Sequence, residues 1–117
     1  MEHSSNDTII ALSSGGLPSG VAVIRTSGPL VQKLLDASIG ELPKARMGVL
    51  REVRDVQDLS VLDQGIVFWF PGPASYTGED CAEFHVHGGK AVVDAILSSF
   101  LKIDGVRLAV AGEFSRR

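Results

Sequence analysis

The chain has 117 residues, 44% of them hydrophobic, and a net charge of −3. That allows one domain with a real core and excludes a broad basic footprint for nucleic acid, so any RNA contact would be a small local patch. The lone cysteine, Cys81, excludes a disulfide framework or a CxxC zinc or redox site and fits a reducing compartment, no apolar run reaches the ~20 residues of a membrane span, and MEHSSND does not read as a signal peptide.

In chain order, DTIIALSS (7–14) is short, apolar and β-branched and reads as a strand. GGLPSG (15–20) reads as a loop, and VAVIRTSG (21–28) as a second strand ending in turn residues. Pro29 suits the first position of a helix capped by Ser27 or Gly28. Leu30, Val31, Leu34 and Leu35 give that helix an apolar stripe to about Ser38, where Gly40 and Pro43 stop it. MGVLREVRD (47–55) and LDQGIVFWF (62–70) read as a hairpin pair across a charged connection, with GIVFWF as a buried strand. Pro71 and Pro73 forbid regular structure in PGPASYTGED (71–80), a loop long enough to point to function. CAEFHVH (81–87) is the next strand, GKAVVDAILSSFLK (89–102) carries apolar residues at helical spacing, and GVRLAVAG (105–112) is a last extended segment. The expected fold is therefore α+β, a mixed sheet with helices packed against it. The closing GEFSRR resembles the first turn of another helix, which points to a piece of a longer protein.

Three stretches carry candidate chemistry. In a strand over 81–87, Glu83, His85 and His87 share one face, and Ala82, Phe84 and Val86 share the other. The apolar face packs on the core. The polar face is then solvated, a subunit interface, a ligand-recognition face, or a metal site using Glu83, His85 and His87. Gly88 and Gly89 turn the chain into the following helix, whose exposed N–H groups suit an anion or simply make a tight turn. SSGGLPSGVAVIR has the glycine spacing of a phosphate loop, but Val21 stands where lysine is required. Arg25 lies in a largely apolar strand and needs a partner if it is not at the surface. SYTGED joins an aromatic, a glycine and two carboxylates in a loop that is either solvated or functional. Cys81 reads as a small buried filler.

Taken together, DTIIAL, GVAVIRTSGP, LDQGIVFWFPGPASYTGED, EFHVHGG and GEFSRR resemble, in this order and spacing, the N-terminal domain of the MnmE (TrmE) family of tRNA modification GTPases. The resemblance covers nearly the whole chain, 1–117. It departs from the family in the first loop, SSGGLPSG where Pro-Pro-Gly is usual, and at Ala111, where a proline is usual. It implies a fold similar to the folate-binding domain of aminomethyltransferases, a homodimer formed through this domain, and a bound 5-formyl- or 5,10-methylene-tetrahydrofolate. Its folate contacts map onto Arg25 and Glu83, with Tyr76, His85 and His87 lining the same region. It further implies a full-length cytoplasmic enzyme that uses GTP, Mg²⁺ and K⁺ and acts with the flavoprotein MnmG on carbon 5 of the tRNA wobble uridine. No catalytic residue of that GTPase falls in this stretch. A metal-binding module using Glu83, His85 and His87, or a ligand-free dimer module, are the readings set against it.

Overall fold

A computed structural model describes residues 7–13 and 20–117. The elements run β1 (Thr8–Leu12), β2 (Val21–Ser27), α1 (Val31–Ile39), β3 (Val49–Arg54), β4 (Val61–Phe70), β5 (Cys81–His87), α2 (Lys90–Phe100), β6 (Val106–Leu108) and α3 (Glu113–Arg116). The loop expected at 15–20 lies, apart from Gly20, outside the described residues.

The strands form one mixed sheet in the order β3-β4-β5-β2-β1-β6. All neighbours are antiparallel except β1 and β6. The α+β expectation therefore holds. Alternation sorts each strand into two faces. Ala22 and Ile24 of β2, Val67 and Trp69 of β4, and Ala82, Phe84 and Val86 of β5 form one buried face. Val31, Leu34 and Leu35 of α1 and Val93, Ile96 and Phe100 of α2 close over it. Phe84 sits at the centre, its ring 4.9 Å from that of Phe100 and fully buried. Burying a side chain of that size contributes roughly 1.5–3 kcal/mol.

Both long helices pack on that buried face, while on the opposite side, among the described residues, only the short α3 comes beside β2, where Glu113, Phe114 and Ser115 line a second cavity with Arg25. This corrects the reading of GIVFWF as a wholly buried strand. Val67 and Trp69 are buried, but Ile66 is 37% exposed and Phe68 and Phe70 stack on the open side with ring centroids 5.9 Å apart. A run that is apolar at every position conceals a period of two, because apolar side chains also serve a ligand-facing surface.

The first helix also starts later than expected. Pro29 belongs to the turn before it, and Leu30 is its cap. No side chain of the cap itself helps; instead Thr8 Oγ1 of β1 accepts the Leu30 N–H at 2.7 Å. The approach is close because Gly28, at φ 141°, has no side chain: a Cβ there would lie 2.6 Å from Thr8 Cα. The connection between β3 and β4 is organised by Asp55. Its Oδ1 accepts the N–H groups of Gln57 and Asp58, and its Oδ2 meets Lys102 Nζ at 2.8 Å.

Candidate ligand-binding site

The register of the sheet assembles the site. Arg25 of β2 lies directly opposite Glu83 of β5, and Glu83 lies opposite Phe68 of β4. Their side chains share the open face, so Arg25 finds the partner its apolar strand demanded. Nε and Nη2 of Arg25 donate to Oε2 of Glu83 at 3.2 and 3.0 Å. Oε1 of Glu83 is 3.0 Å from His85 Nε2. A carboxylate has about four acceptor sites, and three are engaged.

Arg25 and Glu83 open into a cavity of about 350 Å³ lined also by Arg46, Phe70, Ala74, Ser75, Tyr76 and Cys81. Its size falls within the range of small-molecule sites. The Arg25 guanidinium carbon lies 5.5 Å from the centre of the Tyr76 ring, within cation–π range. The side chains of Arg25 and Glu83 are 32% and 21% exposed, shielded enough to strengthen a charge-assisted bond yet open to a ligand.

The two histidines stand apart from this cavity. Both line a neighbouring groove with Val21, Leu50, Gly65, Ile66 and Phe68. His85 is tied back to Glu83 and tilts against the Phe68 ring at 5.0 Å. His87 is 74% exposed and donates through Nδ1 to Asp63 at 2.8 Å. Burial works to raise the Asp63 carboxyl, but the backbone and ring bonds from His87 outweigh it and hold the carboxyl below its ordinary value. Among the described residues no three His, Cys, Asp or Glu side chains converge as a metal site. The metal reading of Glu83, His85 and His87 is therefore set aside: His87 turns to Asp63, while Glu83 is held by Arg25 and His85.

The loop 71–80 is pinned at both ends, while Pro73, Ala74, Tyr76 and Gly78 remain exposed. Asp80 Oδ1 accepts the Gly72 N–H at 2.9 Å, and the Asp80 carbonyl accepts the Gly28 N–H at 2.9 Å. Oε1 of Glu79 accepts Ser27 Oγ and Arg117 Nε, both at 2.9 Å. Arg117 continues to Glu113, which also meets Arg107, and Arg107 reaches Asp7 at 2.9 Å. This chain of charges fastens the cavity loop to β6 and α3. Arg107 above all, against the effect of burial, draws the Glu113 carboxyl from its ordinary 4.5 to about 2. Cys81 is buried as expected, with Sγ 3.2 Å from Thr77 Oγ1, but it also forms part of the cavity wall.

Sequence reasoning missed Arg46, Phe70 and Ser75. Phe70 and Ser75 follow from residues already singled out, the aromatic strand and the long loop. Nothing local marks Arg46. Its N–H donates to the Trp69 carbonyl at 2.8 Å, and this pairing with the end of β4 brings it to the cavity.

Residues 8–117 match the family model described as GTP-binding protein TrmE N-terminus. Among curated relatives, "tRNA modification GTPase MnmE" of Sinorhizobium medicae is 56% identical over 111 residues, 95% of this chain and 25% of the relative. The protein of the same name from Mesorhizobium japonicum is 55% identical over 113 residues, 97% of this chain and 25% of the relative. That from Bartonella quintana is 56% identical over 111 residues, with 95% and 25% covered. The chain thus spans about a quarter of the length of these relatives.

Proposed function

The chain belongs to the family of TrmE N-termini, and from that premise we propose that it is the reduced-folate-binding and homodimerisation domain of a tRNA modification GTPase. The observation that carries this reading is the facing pair Arg25 and Glu83 at a cavity walled by Phe70 and Tyr76. A reduced pterin presents a 2-amino group beside a ring N–H. A carboxylate accepts two such donors at once. Because Glu83 is already engaged, the ring displaces His85 from Oε1 and shares Oε2 with Arg25. Arg25 then also faces an oxygen of the pterin or of the one-carbon group, and Tyr76 supplies an aromatic surface. His85 and His87 line the adjoining open face, which is free to meet the partner subunit.

The ligand is 5-formyl- or 5,10-methylene-tetrahydrofolate, which supplies a one-carbon unit when bound. The longer protein hydrolyses GTP with Mg²⁺ and K⁺ through regions outside the matched quarter. With the flavoprotein MnmG it modifies carbon 5 of the tRNA wobble uridine in the cytoplasm. The fold is of the kind that binds folate in aminomethyltransferases.

Calorimetric titration with 5-formyltetrahydrofolate tests the site. A charge-assisted hydrogen bond contributes roughly 1.5–3 kcal/mol, so Glu83→Ala and Arg25→Ala each weaken binding tenfold or more. Unchanged affinity in both folded variants would sink the assignment.

A further inference from the structure

We propose that Arg46 is a second recognition element of this cavity, holding an anionic arm of the ligand whose uncharged ring is held by Glu83. The proposal rests on the reading of Glu83 as the acceptor for that ring, and extends it to the rest of the ligand.

Three observations lead to it. The first is charge. Arg25 and Arg46 both line the cavity, against a single carboxylate there, Glu83. Arg25 is neutralised by Glu83. Among the described residues no carboxylate pairs with Arg46; its guanidinium donates to the carbonyl of Ala74, another cavity residue. The cavity therefore keeps one uncompensated positive charge within a chain of net charge −3.

The second is placement. Arg46 stands at φ 66°, a conformation that non-glycine residues rarely adopt. Its N–H is fixed to the Trp69 carbonyl, and the Met47 N–H bonds back to the Lys44 carbonyl at 3.2 Å. Backbone outliers of this kind cluster at ligand clamps and active sites. The Ala74 bond holds the guanidinium against the loop that carries Tyr76.

The third is spacing. Arg46 pairs with the end of β4, so it takes the position that β3 occupies further along the sheet. Crossing the sheet from Glu83 on β5, β4 comes next and then Arg46. Two strand spacings are about 10 Å. A ligand touching both is elongated, with a ring at one end and an anion at the other. Phe70 and Tyr76, which also line the cavity, suit an aromatic middle. A folate with its glutamyl carboxylates has that shape and charge.

The test is calorimetry at low salt on the whole chain, using 5-formyltetrahydrofolate and its neutral bis-amide, in which both glutamyl carboxylates are capped. Wild type should prefer the acid at least tenfold. Arg46→Gln should erase that preference to within twofold while keeping the affinity for the bis-amide. Arg46→Lys should restore part of it. A preference that survives in Arg46→Gln, or a wild type that has none, overturns the role of Arg46 while leaving the ring site intact. Equal loss for both ligands in Arg46→Gln shows that the residue only supports the loop, and also overturns it. If wild type binds neither ligand, the folate site itself falls, and Arg46 with it.

Discussion

Glu113 is the joint of the charge chain behind the cavity loop, and replacing it with glutamine should destabilise the whole domain. Its carboxylate accepts from Arg107, from Arg117 Nη1 at 3.2 Å and from the Val110 N–H at 3.0 Å. The side chains of Glu113 and Arg117 are 8% and 9% exposed, and that of Arg107 is 22% exposed. Removing one partner of a buried pair costs about 3–5 kcal/mol, because a buried charge is left uncompensated. Here Asp7 still faces Arg107 and Glu79 still faces Arg117, and glutamine keeps one oxygen as acceptor. Glu113→Gln should therefore lie at or below the lower end, about 2–3 kcal/mol, or roughly 10 °C in Tm for a domain of this size. Urea unfolding followed by the fluorescence of Trp69, the only tryptophan and a core residue, measures it. A loss under about 0.5 kcal/mol would refute the claim that this network ties α3 and the loop to the sheet.

The same carboxyl sets a pH dependence. Arg107 holds it at about 2 in the folded state, below the ordinary 4.5, so the unfolded chain binds that proton more tightly. Its stabilisation is fully present above pH 4.5 and is lost as pH falls through about 2; the stability gap between wild type and Glu113→Gln should close over that window, and a constant gap contradicts it. Gly65→Ala should also destabilise, since a Cβ there would sit 2.4 Å from the His85 carbonyl oxygen and force β4 from β5 beside the site. Overpacking of this kind costs about 1–3 kcal/mol, and an unchanged melting curve would contradict the close approach.

How far the site was legible depended on the kind of signal. The two faces of CAEFHVH were readable because polar and apolar residues alternate from Ala82 to His87, and burial follows that alternation. The loop 71–80 was readable from its prolines and length. GIVFWF misled because alternation is invisible when both faces are apolar. The start of α1 misled because the N–H of its cap, Leu30, is bonded by Thr8, a residue distant in sequence on β1. Arg25 was flagged by its setting, but its partner emerged only from the β2–β5 register, and the pairing is what turns an isolated arginine into half of a site. Arg46 and the Asp7–Arg107–Glu113–Arg117–Glu79 chain were illegible for a deeper reason. The Glu113–Arg117 pair is local, at i,i+4, but the links to Asp7 and Glu79 and the contact of Arg46 with β4 join segments far apart in sequence, and no local pattern of residue types records them. His87 shows the reverse case: the spacing Glu-x-His-x-His invited a shared ligand set, and Asp63, contributed by β4, drew one member away.

The central claim is that a reduced folate sits on the open face of the sheet between Arg25, Glu83 and Tyr76. Backbone amide NMR of the chain titrated with 5-formyltetrahydrofolate tests it most directly. The account predicts saturable shifts concentrated at Arg25, Tyr76, Cys81 and Glu83, weaker ones at His85, and none at the start of α2. Saturable shifts clustered at Gly88, Gly89 and Lys90, or no shifts at millimolar ligand, would contradict it.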